Sequence, residues 1–155
     1  MEIPDDLREF INLDRVEDRI NVANMVVKPE LKGQVIDFAN LAEELMDEFL
    51  TIQYAKGQPS AFVKKKAVFG DKIKATQATL IAIDPANSEH TLHIDFSECI
   101  RDIRNAVAHN AGMASSELLR LADIPLVVEL ASAFPASGWT RICSLRRHLQ
   151  AYHEA

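Results

Sequence analysis

Residues 29–59 read PELKGQVIDFANLAEELMDEFLTIQYAKGQP, and through them Leu31, Val35, Phe38, Ala42, Leu45, Phe49 and Ile52 recur at alternating steps of four and three. That spacing keeps the apolar side chains on one narrow stripe of an α-helix. Pro29 suits the first helical turn, where its missing N–H is no loss, and Gly57 with Pro59 ends the run. Glu43, Glu44, Asp47 and Glu48 fall between the apolar positions, and their like charges one turn apart predict water rather than packing on those faces. A stripe this long must be covered, either by other helices of a bundle or by a second subunit.

Outward from this segment the same period continues. Upstream, Asp5 or Asp6 caps a helical region carrying Leu7, Phe10, Ile11, Val16, Ile20 and Ala23, and Met25–Lys28 connect it to Pro29. Downstream, residues 58–70 read as a loop or short helix containing Lys64, Lys65 and Lys66. A helix then runs through Ile73, Leu80, Ile81 and Ile83 and stops at Asp84–Pro85. His90 to Phe96 alternate polar and apolar residues. A lone strand would have nothing to pair with, so this stretch reads as a loop. Asp95 opens a further helix with Phe96, Ile100, Ile103 and Val107 on one stripe, ended by Asn110 and Gly112. Ser115 or Ser116 caps another through Leu118, Leu121, Val128 and Phe134, kinked at Pro125. Pro135–Gly138 read as a turn, and a last amphipathic helix covers Trp139 to Tyr152. The expected fold is all-α, a bundle of five to six helices in one domain over 1–155. Residues 1–28 form its N-terminal helical region and residues 29–155 its core.

Composition narrows the class. Hydrophobic residues make up 48% of the 155 and charged residues 26%, a balance that supports a packed core. No apolar run approaches the ~18 residues a membrane helix needs, so no membrane partner is expected. The acidic start Met-Glu-Ile-Pro-Asp-Asp has neither the basic nor the apolar region of a signal peptide, and a cytoplasmic location is expected. Cys99 and Cys143 form no CxxC and read as buried thiols of a reducing compartment. The formal charge of −6 disfavours a general nucleic-acid binder. It is unevenly spread, with 13 acidic and 5 basic residues in 1–50 and 10 acidic and 12 basic in 51–155. The later part of the chain is free to present a local positive patch.

The candidate site is the helix end Arg101-Asp-Ile-Arg104-Asn105-Ala-Val-Ala-His109-Asn110. At ~100° per residue Asn105 lies ~40° and Arg101 ~80° from His109, whereas Arg104 lies ~140° away, across the edge of the apolar stripe. Arginine grips phosphate through its fork of donors, and a histidine in a last helical turn is favoured in its protonated form. Together they bind a phosphodiester and move a proton, so neither metal nor cofactor is expected. His90 and His93, with Glu89 and Asp95 nearby, are the residues a metal reading would use. An isolated H-x-x-H without an E-x-x-H partner reads instead as a solvated loop. Lys64–Lys66, Lys72 and Lys74 form one basic cluster and Arg141, Arg146 and Arg147 another, with no interleaved aromatics of the kind that stack on bases. Trp139, Phe134 and Tyr152 read as core or interface residues.

Arg104-Asn105-Ala-Val-Ala-His109 resembles the R-x4–6-H signature of the HEPN superfamily. The preceding Phe69-Gly-Asp-Lys-Ile-Lys and the Arg-rich helix are similar to its mannitol-operon-repressor-like branch. The resemblance spans roughly residues 30–150, with its informative letters in 69–110. It implies a helical bundle that forms a two-fold homodimer around the motif. Catalytic members are metal-independent endoribonucleases, often toxins or phage-defence effectors. Carried over, Arg104 steadies the phosphate, His109 acts as acid or base, Asn105 orients by hydrogen bonding, and Arg101 and Asn110 contact the RNA. Toxins paired with nucleotidyltransferase antitoxins carry a Tyr two residues after the His. Ala111 stands there in this chain, which removes the residue such an antitoxin modifies. The mannitol-repressor-like branch implies the alternative, a non-catalytic regulatory module that acts by binding a protein partner.

Overall fold

The computed structural model describes residues 29–108 and 136–154. Helix α1 (Pro29–Ala55) is 27 residues long, which at 1.5 Å per residue makes it about 40 Å from end to end. Its apolar stripe is covered within the chain. Val35, Phe38, Ala42 and Phe49 are buried, Leu45 and Ile52 half-buried, and Ala39, Met46 and Leu50 widen the buried face. The covering elements are α2 (Phe69–Ile83), α3 (Glu89–Ala108) and α4 (Ala136–Gln150), each of which packs on α1. A single 3-10 turn, Pro59–Ala61, lies between α1 and α2. All helices and no strands are found among the described residues, as expected of an all-α chain. None of these helices is long and apolar enough to cross a membrane.

The end of α1 is built as its glycine suggests. Gly57 takes a φ of +91°, its N–H donates to Tyr54 O at 3.0 Å, and the Gln58 N–H donates to Gln53 O at 3.0 Å. This is the Schellman pairing, which satisfies carbonyls the helix leaves open and needs a residue without a Cβ. Helix α2 ends where Asp84–Pro85 predict, with the Asp84 N–H donating to Leu80 O at 2.9 Å.

Two boundaries differ from the sequence reading. Helix α3 begins at Glu89, not at Asp95, and takes in the stretch read as a loop. His90, His93, Ile94, Ser97 and Ile100 are all buried, at helical spacing. Two histidines and a serine occupy the inward face there, so a pattern scored on apolar residue types misses the stripe. The Asn87 side-chain oxygen accepts the Glu89 N–H at 2.9 Å and supplies the start signal. Helix α4 likewise begins at Ala136, and Gly138 is a buried helical position rather than a turn residue. The expected helices over residues 5–23 and 115–134 lie outside the described residues.

The core holds Met46, Phe49 and Leu50 of α1, Phe69, Ile73 and Leu80 of α2, and Phe96, Ile100 and Ile103 of α3, all fully buried. Leu145 and Leu149 of α4 close it. Truncating one of these phenylalanines to alanine removes transfer energy and leaves a cavity, a loss of about 3–5 kcal/mol. The segment after α4 is tied back to the bundle by side chains. Gln53 Nε2 donates to Tyr152 O at 2.8 Å, and the Tyr152 hydroxyl donates to Asp84 Oδ2 and accepts from Asn87 Nδ2, both at 2.9 Å.

Candidate functional site

The two stretches that carry the resemblance meet. Phe69, the first residue of α2, lies under Arg104 of α3, with the guanidinium carbon 5.1 Å from the ring centroid. This is cation–π geometry. Arg104 Nη1 also donates to Glu43 Oε1 of α1 at 3.2 Å. The other oxygen of Glu43 accepts from Lys72 Nζ at 2.6 Å, and Lys72 reaches on to Asp47 at 3.0 Å. The result is a chain of charges, Arg104–Glu43–Lys72–Asp47, that ties the middle of α1 to the first turn of α2 and the last turns of α3. Two of the four acidic positions expected to face water are therefore ion-paired, Glu43 partly buried and Asp47 still half-exposed, while Glu44 and Glu48 are exposed. Pairing overrides the like-charge repulsion along α1, because α2 and α3 each bring a cation to it.

The electrostatics follow from this pairing. Burial pushes the Glu43 carboxyl up, but hydrogen bonds and charge from Lys72 and Arg104 outweigh it and hold Glu43 below its ordinary value. Burial pushes Lys72 down, and Glu43 with Asp47 outweigh that and raise it. Arg101 donates to its neighbour Asp102 at 3.1 Å and lies across Gly70, where a Cβ would meet its Nη1 at 2.9 Å. Asn105 is exposed. The motif's Arg101, Arg104 and Asn105 thus lie on α3, two of them ion-paired within the chain. His109 and Asn110 lie outside the described residues.

A second constellation sits further toward the start of α3. His90 is 4% exposed, His93 7% and His148 8%, so the expected solvated loop is instead a buried histidine cluster between α3 and α4. His93 stacks on His148 with ring centroids 4.2 Å apart, and His90 meets His148 edge-on at 5.0 Å. His90 Nδ1 and His148 Nε2 are 2.8 Å apart, and His90 Nε2 lies 2.8 Å from Asp84 O. Burial, then the neighbouring His148, Arg141 and His90, push His93 down to about 4. Burial and His90 also lower His148, against the smaller pull of Glu89 and Asp84. One donor atom each from Glu89, His93 and His148 lies within 4.8 Å of the others. These residues face a cleft of about 460 Å³ that Arg141, Arg147 and Tyr152 also line. Sequence reading missed His148 because 55 positions separate it from His93 in the chain. The available signal was Glu89 and His93 at i,i+4, which share a face only once the segment is known to be helical.

Cys99 is buried, with its thiol pushed up to about 12 by burial and then by Asp102 and Asp95. It is an inert packing residue. Cys143 is half-buried and also free. Trp139, expected in a core or an interface, is 54% exposed and packs edge-on against Phe38 with centroids 5.0 Å apart. It borders a cleft of about 540 Å³ that Phe38, Leu41, Asp37 and Glu44 share. An adjoining cleft brings Trp139 together with Glu44, Glu48 and Arg146.

No protein-family model, no curated protein and no solved structure matches this chain.

Proposed function

We propose that this chain is a non-catalytic interaction module of the HEPN type, a regulatory unit that works as a pair of identical chains. The observation that carries the reading is the engagement of Arg104. Its guanidinium is held by Glu43 and by the face of Phe69, whereas a catalytic arginine must present its fork to a substrate phosphate. Swinging it out would break a partly buried ion pair and strip the Phe69 ring of its cover. In this reading Arg104 of the motif and Phe69 and Lys72 of the preceding stretch are a structural joint between three helices.

The pairing surface is the patch around Trp139. It has an apolar centre in the exposed Trp139, backed by the buried Phe38 and the half-buried Leu41, and charges of both signs around it in Asp37, Glu44, Glu48 and Arg146. A two-fold interface must be self-complementary, and a mixed-charge rim around an aromatic anchor meets that need better than a rim of one sign. Phe38 and Glu43 are five residues apart on α1, about 7.5 Å along its axis. The patch therefore lies less than two helical turns along α1 from the joint, and the resemblance implies contact between subunits around the motif.

The test is light scattering of the purified full chain, with incubation of total RNA at high protein concentration in EDTA. The reading predicts a dimer that Trp139→Asp converts to monomer, and RNA that stays intact. RNA fragments that disappear in an Arg104→Ala/His109→Ala variant would establish the metal-independent ribonuclease instead. A wild-type monomer would overturn the pairing.

A further inference from the structure

We propose that Glu89, His93 and His148 form a Zn²⁺ site with three protein ligands, its fourth position open to the cleft beside Arg141 and Arg147. This goes beyond the interaction-module reading and does not depend on it. Glu89 and His93 project from one face of α3, a helical turn apart, and His148 meets them from α4. Two imidazole nitrogens and a carboxylate are the ligand set of open zinc sites, and imidazole selects zinc-like metals over Mg²⁺ and Ca²⁺.

The hydrogen bonds around the cluster fix which atom of His148 is on offer. Asp84 O can only accept, so His90 Nε2 carries a proton and donates to it. A neutral His90 then presents Nδ1 as an acceptor, and the partner 2.8 Å away, His148 Nε2, must be the donor. His148 is left with its lone pair on Nδ1. Zinc-binding histidines are held in this way, with the second nitrogen donating to a fixed acceptor that sets tautomer and ring orientation. Here the outer partner is His90, itself anchored on a backbone carbonyl.

Closing the site needs the stacked imidazoles of His93 and His148 to turn apart until their lone pairs converge, and Glu89 to swing toward them. Tetrahedral Zn²⁺ with bonds of about 2.0–2.1 Å places its ligand atoms about 3.3 Å apart, and one possible ligand atom from each of the three side chains lies within 4.8 Å of the others. The two histidines are packed against each other, while Glu89 is exposed and free to rotate toward them. Arg141 and Arg147 line the same cleft, and the charge of Arg141 bears on His93. Positive charge there opposes a bare divalent cation but favours one that carries an anionic fourth ligand, such as hydroxide or a phosphate oxygen. Within the cleft Asn87, Ser144 and Tyr152 supply further polar groups to hold that ligand.

The experiment titrates Zn²⁺ calorimetrically into the chelator-stripped full chain, and repeats the titration with Co²⁺ while following its visible d–d absorption. The expected result is one metal per chain with the intense spectrum of four-coordinate Co²⁺. Glu89→Gln, an exposed substitution that leaves the core untouched, should weaken binding by more than about tenfold, and His148→Ala should abolish it. His153→Gln, which alters a histidine stacked on Phe49 away from the cluster, should leave stoichiometry and affinity unchanged. A wild-type chain that gives neither heat nor spectrum overturns the proposal. So does binding that survives undiminished in Glu89→Gln and His148→Ala.

Discussion

A guanidinium 3.2 Å from a carboxylate and 5.1 Å above a phenyl ring has little freedom left, and several single-residue consequences follow. Arg104 and Glu43 are 23% and 24% exposed, so their pairing is screened less than a surface ion pair. The sign of the pH effect comes from both partners. Glu43 is held below its ordinary 4.5, so its contribution is present above that value and is lost as pH falls through the lower folded value. Lys72 is raised above 10.5, so its contribution is present below that value and is lost as pH rises through the higher folded one. Urea midpoints near pH 7 and near pH 3 should therefore differ, and Glu43→Gln should shrink the difference. An equal acid-side loss in that variant would mean other carboxylates govern it. Two glycines should respond oppositely to alanine. Gly57 sits at a φ of +91°, and Gly57→Ala should cost about 1–2 kcal/mol of unfolding free energy. Gly70 is helical, and its new Cβ would meet only the tip of Arg101, which can swing aside. Gly70→Ala should therefore be neutral or stabilising by up to about 1 kcal/mol.

Among the elements, those whose signal lay in residue type were legible and those whose signal lay in context were not. Helix α1 announced itself through Val35, Phe38, Ala42 and Phe49, and its end through Gly57, because apolar period and left-handed glycine are local properties. The first turns of α3 were hidden because His90, His93 and Ser97 face inward, where His90 bonds His148 of α4 and Asp84 O, and Ser97 donates to His93 O one turn back. The site shows the same division. Arg104 stood out as a chemical group at a helix edge, but the acceptor that occupies it, Glu43, is 61 residues away in the chain. His148 was invisible as part of the histidine cluster for the same reason. The clasp after α4 is a further long-range feature that no local pattern reveals. Tyr152→Phe removes the hydroxyl that bonds Asp84 and leaves Asn87 without its acceptor. The loss should be about 1–2 kcal/mol in chemical denaturation, and a change within error would show the clasp to be solvated.

For the molecule as a whole, one ion-paired joint and one histidine cluster sit at different places along α3, and the two carry different expectations. The joint links α1, α2 and α3 through Arg104, Glu43, Lys72 and Asp47, and makes Arg104, the first residue of the sequence motif, part of the fold. The cluster between α3 and α4 opens on a cleft and holds the ligand chemistry. The measurement that bears most directly on the joint is a double-mutant cycle on unfolding free energy, with wild type, Arg104→Ala, Glu43→Ala and both together. A structural joint predicts a coupling energy of about 1–3 kcal/mol, with each single variant destabilised and the double variant less so than their sum. A coupling indistinguishable from zero, with Arg104→Ala as stable as wild type, would contradict the account and return Arg104 to the surface as a group available to a substrate.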